Sequence, residues 1–93
     1  MKISASPQVE NWLLALSPEP KRRVRAELKL LAQEKSKEVK VLHGELEGWH
    51  RLRIRGYRIL FQIQPSQIIF LEYANTREVV YETFLRLRAL KEL

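Results

Sequence analysis

From Leu52 to Ile63 the apolar residues recur at every second position. Leu52 and Ile54 precede a break at Gly56, and Tyr57, Ile59, Phe61 and Ile63 follow it. A period of two is the signature of a strand with one buried face. A two-residue turn at Arg55-Gly56 folds this stretch back on itself, so that Leu52 faces Ile59 and Ile54 faces Tyr57. A four-residue loop from Ile54 to Tyr57 gives the same pairing. The register is tightly specified, because a slip of one residue turns every core side chain outward. It also forces Arg53 opposite Arg58 and Arg51 opposite Leu60, all on the other face. Like charges directly opposite each other are destabilising, and the hairpin contains no acid. Either these arginines splay into water or pair with distant acids such as Glu72 or Glu82, which is worth little at a surface. Or the face binds phosphate, for which the planar five-donor guanidinium is suited.

The chain around the hairpin alternates in the same legible way. Lys2 to Ser4 reads as a short opening strand. Ser6-Pro7 is an N-cap followed by proline at the first helical position. Val9, Trp12, Leu13 and Leu16 then lie on one helical face, which assigns Trp12 to the core. Ser17-Pro18 repeats the start signal. Val24, Leu28 and Leu31 form a second stripe, on a helix running to about Glu34. So short a connection implies an antiparallel helical hairpin. Val39 and Val41 begin a strand pattern, and Gly44 and Gly48 bracket a turn. Pro65-Ser66 makes another turn before Ile68 to Tyr73. The last stretch, from about Arg77, is helical, with Val80, Phe84 and Leu87 as its stripe. The expected fold class is α+β: a short N-terminal strand, an antiparallel helical hairpin, a three-to-four-stranded antiparallel twisted sheet, and a C-terminal helix. With 93 residues, residues 1–93 form a single domain.

The net charge is +6, from 17 Lys and Arg against 11 Asp and Glu. That excess favours polyanionic partners such as nucleic acid or a ribonucleoprotein. The second helix carries Lys21, Arg22, Arg23, Arg25 and Lys29 around Glu27. This reads as a solvated face, or as a secondary phosphate contact. The chain has no cysteine, which excludes disulfides and thiolate metal sites and is compatible with a reducing compartment. The opening MKISASPQVE lacks the apolar core of a signal peptide, and no apolar run is long enough to span a bilayer. The expected location is cytoplasmic, with no membrane partner.

The segment HGELEGWH holds two histidines and two glutamates, but their spacing matches no metal signature. Glu45 and Glu47 read as loop charges. His50 adjoins Arg51, points to the opposite face in a regular strand, and is a secondary candidate for proton transfer. Trp49 shares the arginine face on strict alternation. It either offers a stacking surface to a base or covers the sheet end. There is no aspartate, so no Ser-His-Asp set exists.

These residues resemble the RelE/ParE superfamily of bacterial toxins. The resemblance lies in VLHGELEGWHRLRIRGYRILFQI followed by IIFLEYANTREVVYETF: a small-residue turn, R-L-R, G-Y-R-I, an apolar strand, then Arg-x-x-x-Tyr. It extends over essentially the whole chain. RelE-like members cut messenger RNA in the ribosomal decoding site, whereas ParE-like members poison DNA gyrase. An arginine and a tyrosine just after the last strand mark the RelE-like branch, and Arg77 and Tyr81 stand there.

The resemblance implies a toxin of a type II toxin–antitoxin system acting as a ribosome-dependent messenger RNA endonuclease. It implies a cognate antitoxin, expected to be acidic, and neither a metal nor a small-molecule cofactor. Cleavage would use the RNA 2′-hydroxyl as nucleophile, which demands a base, a stabiliser for the phosphorane charge, and an acid for the leaving oxygen. Arg58 and Arg77 fit the second role, and Arg51, Arg53 and Arg55 bind the RNA backbone. Lysines commonly occupy the positions of Arg51 and Arg53 in the family, and arginine serves proton transfer poorly. Tyr81 is left for proton transfer or for orienting an unstacked base. The alternatives are a ParE-like gyrase inhibitor and a non-catalytic nucleic-acid-binding domain.

Overall fold

The helical hairpin needs an apolar surface to cover, and one face of the sheet supplies it. In the computed structural model, which describes residues 1–91, β1 (Lys2–Ala5) leads into α1 (Pro7–Ala15) and α2 (Pro18–Ala32). The strands β2 (Val39–Val41), β3 (His50–Ile54), β4 (Tyr57–Gln64) and β5 (Ile68–Thr76) follow, and α3 (Val80–Lys91) is the last element of the described residues. A single turn of 3₁₀ helix at Gly44–Leu46 lies between β2 and β3. The Ser6 hydroxyl caps α1 by accepting from the Val9 N–H at 3.2 Å, with Pro7 at the first helical position. Ser17 occupies the equivalent place before α2 but makes no side-chain cap bond. That helix ends at Ala32, two residues earlier than the sequence suggests.

The sheet has five strands in the order β1-β5-β4-β3-β2, more than the three or four expected. The antiparallel meander accounts for β2 to β5. The extra edge strand is β1, which pairs parallel to β5, Lys2 with Ile68 through Ala5 with Leu71. Parallel pairing requires a long crossover, here the whole intervening chain. The hairpin register is as the alternation demands: Leu52 pairs with Ile59, Arg53 with Arg58, and Ile54 with Tyr57. Arg55 carries the left-handed backbone of the turn, with φ 53°.

The two faces of the sheet have different covers. Val9, Val24 and Leu31 of the helical hairpin pack on Leu52, Ile54, Ile59, Phe61, Ile69, Leu71 and Ala74. On the opposite face, α3 buries Val80 and Phe84 against Leu60, Tyr73, Leu46 and Trp49. Leu87, expected in that stripe, is 41% exposed. The helix covers only one end of its face, and the arginines occupy the remainder.

A bulge in β5 decides what shares that face. Leu60 pairs with Tyr73 but Phe61 pairs with Leu71, so Glu72 is an extra residue. Ile69, Leu71 and Ala74 therefore all point to the helical hairpin, and Tyr73 and Asn75 point the other way. Past the end of β1, side chains take over the pairing of β5. The Ser6 hydroxyl donates to the Glu72 carbonyl at 2.7 Å. The Gln8 amide donates to the Ala74 carbonyl at 2.8 Å and accepts from the Ala74 N–H at 2.9 Å.

Candidate functional site

Cross-strand pairing lays out the arginine face in rows. Arg53 lies opposite Arg58, and Arg58 opposite Asn75. On the other side of Arg53, its N–H donates to the Glu38 carbonyl at 3.1 Å, and its Nε donates to Glu38 Oε2 at 2.8 Å. One row thus reads Glu38, Arg53, Arg58, Asn75. The next reads Lys40, Arg51, Leu60, Tyr73. Glu38 is the acid that the hairpin lacked. Neither Glu72 nor Glu82 reaches these arginines: Glu72 faces Lys91 at 3.9 Å and Glu82 pairs with Arg86 at 3.0 Å.

Each cation is held differently. Arg58 folds back over the turn and donates from Nη1 to the carbonyls of Arg55 at 2.7 Å and Tyr57 at 2.8 Å. Partial burial and the charges of Arg51, Arg53 and Arg77 lower its pKa from the ordinary arginine value, and Tyr81 opposes them. Arg51 Nε is buried without a hydrogen-bond partner. Arg77 arrives from the far end of β5, where its N–H donates to the Gly56 carbonyl at 2.8 Å. That bond ties the segment after the last strand to the tip of the hairpin. The Arg77 side chain is exposed and pairs with Glu78 at 3.1 Å. Arg53, Arg55, Arg58 and Arg77, with Arg23 of α2 and Glu38, line one open cavity of about 600 Å³. Guanidiniums lining an open cleft can hold an anion, and their spread across five segments suits an extended polyanion rather than a single ion.

Tyr81, on the first turn of α3, is half-buried against the packing of that helix and lies close enough to Arg58 to act on its charge. His50 does not join the arginines. Its ring stacks on Phe61, 5.1 Å between centroids, on the helical hairpin side. Trp49 does share the arginine face, but its indole is 6% exposed and packs edge-on against Phe84 at 4.9 Å, with Arg88 above it. It covers the sheet end and offers no platform to a base. Among the described residues, no group of three or more His, Asp or Glu side chains could hold a metal ion. No described helix is long and apolar enough to cross a membrane.

The sequence reading missed Glu38, Lys40 and Asn75. Lys40 was detectable, because it alternates with Val39 and Val41 and so points away from the core. Asn75 was hidden by the bulge, since strict alternation puts it on the buried face with Ile69 and Leu71.

A sheet covered by a helical hairpin on one face and by a terminal helix over part of the other is a fold similar to that of solved RelE toxins. Three solved structures carry the likeness. The archaeal RelE–RelB complex of Pyrococcus horikoshii matches with TM-score 0.68 and 21% identity, over 82% of this chain and 93% of that one. The toxin–antitoxin complex RelBE2 of Mycobacterium tuberculosis gives 0.62 and 22%, over 82% and 96%. The isolated RelE toxin of E. coli gives 0.64 and 12%, over 96% and 97%. No protein-family model matches the sequence, and no curated protein matches it.

Proposed function

We propose that this chain is the toxin of a type II toxin–antitoxin pair and cuts messenger RNA on the ribosome, without a metal. The observation that carries this reading is the meeting of Arg58 and Arg77 at one cavity, at the same end of the antiparallel β4–β5 pair, with Arg77 tied to the hairpin tip through Gly56. Two fixed cations lining one cavity suit the extra charge of a pentavalent phosphorane. Arg51, Arg53, Arg55 and Lys40 extend the positive field along the path of an RNA backbone. Tyr81 borders this surface, where a phenol can position an unstacked base. The likeness to RelE toxins solved with RelB antitoxins supports a cognate antitoxin, whose acidic groups would cover the same arginines.

The test is translation in a purified system with message ends mapped. The wild type is expected to cut message bound to ribosomes, and Arg58→Ala to lose about 10²–10³-fold in rate, the usual cost of deleting one donor to a developing anion. Intact message at concentrations that arrest gyrase supercoiling would overturn the endonuclease reading in favour of a gyrase poison. Cleavage unchanged by Arg58→Ala would overturn the site.

A further inference from the structure

The reaction proposed above needs a group to accept the 2′-hydroxyl proton, and the arginines cannot. Of the side chains lining the cavity with Arg58 and Arg77, only Glu27 and Glu38 are carboxylates. Glu27 Oε1 already accepts from the Ser36 hydroxyl at 2.5 Å, on the α2 side. Glu38 stands in the arginine row itself. Its Oε2 is fixed by Arg53 at 2.8 Å, and among the described residues Oε1 has no partner. Glu38 and Arg58 flank Arg53, so their backbones are two strand spacings apart, roughly 10 Å. That interval has room for a phosphate at Arg58 with its ribose toward β2.

We propose that Glu38 is the general base of RNA cleavage by this protein, an assignment that rests on the endonuclease reading. The carboxylate takes the 2′-hydroxyl proton as that oxygen bonds to phosphorus. The phosphorus–O5′ bond breaks, and the departing 5′-oxygen takes a proton from water. Glu38 later returns its own proton to solvent. The products are a 2′,3′-cyclic phosphate and a 5′-hydroxyl end, with no net proton consumed.

The electrostatics keep this carboxylate ionised. The hydrogen bond from Arg53, helped by the charges of Arg53, Arg51 and Arg58, holds the Glu38 carboxyl below the usual carboxylate range, against desolvation, which acts the other way. It is therefore ionised at neutral pH, as a base must be. An incoming phosphate competes for Arg53, which loosens that restraint and raises the basicity of the carboxylate when substrate is present. Arg55 and Arg77 reach the same cavity from the turn and from beyond β5, and Arg23 reaches it from α2.

The test compares the wild type with Glu38→Gln in the purified translation system, alongside binding of a 2′-O-methyl RNA oligonucleotide that cannot be cut. Glutamine keeps the shape and the acceptor for Arg53 but is no base. Cleavage is expected to fall about 10²–10⁴-fold while oligonucleotide affinity holds or rises. The wild-type rate is expected to be level from about pH 5 to 8, above the titration of a carboxylate. Glu38→Gln cleaving within about 3-fold of the wild type would overturn the assignment, being far below the range for a lost base. So would an equal loss of oligonucleotide binding, which marks a positioning role for Arg53, or a rate climbing toward alkaline pH, which marks a phenol. Those results leave the endonuclease reading standing. Failure of the wild type itself to cut message would overturn that reading, and the assignment with it.

Discussion

Replacing Arg51 by methionine should make this protein more stable. Arg51 Nε is buried with no hydrogen-bond partner, between the apolar side chains of cluster-lining Leu60 on β4 and the open arginine face. Lys40 lies directly opposite it on β2. An unpaired buried donor costs about 1–3 kcal/mol. A like charge across the strand pair adds a few tenths up to about 1 kcal/mol. Methionine keeps an unbranched stem in the same space and removes both penalties. Allowing for packing lost with the longer side chain, the gain is about 1–2 kcal/mol. For a domain of this size that raises Tm by about 5–15 °C. Urea unfolding followed by Trp49 fluorescence would read it as a higher midpoint at unchanged slope. Added salt should stabilise the wild type more than the variant, because screening relieves a repulsion that the variant lacks. The same variant should bind RNA more weakly, with the salt slope reduced by about one. A midpoint equal to or below the wild type would refute the idea that this face holds its charge at the expense of stability.

Two further outcomes follow from the fold. Gln8→Ala strips both hydrogen bonds from the Ala74 backbone beside the bulge; it should cost about 1–2 kcal/mol, and a urea midpoint matching the wild type would show that water replaces the amide fully. The Glu38–Arg53 pair stabilises the protein where the carboxyl is ionised, since its folded pKa is depressed. That contribution is present above the ordinary carboxylate value and is lost as pH falls through the depressed one. Thermal melts of wild type and Glu38→Gln should therefore differ most near neutrality and converge in acid, and a gap that widens in acid would contradict the sign.

The parts of the fold that rest on short-range geometry were legible in the chain. Ser6-Pro7 starts a helix because a hydroxyl and a fixed φ meet local needs. The hairpin of β3 and β4 follows from period two and a two-residue turn, so the gathering of Arg51, Arg53 and Arg58 on one face was already determined before any tertiary contact. The family likeness drawn from those same residues agrees with the fold of the solved RelE toxins.

The rest needed contacts that no local rule encodes. Glu38 and Lys40 reach the arginine rows only once β2 is registered on β3, and the loop between them, which includes the 3₁₀ turn, gives alternation nothing to count across. Leu87, and the choice left open at Trp49, depend on where α3 lands, and that is set by Val80 and Phe84 packing on Leu60 and Tyr73. Asn75 faces Arg58 because one extra residue, Glu72, shifts the phase of β5. That bulge is held by Ser6 and Gln8, 66 positions away in the chain. Alternation along a strand is a local property of L-residues, but the place where it skips is decided by hydrogen bonds that only the folded chain can make.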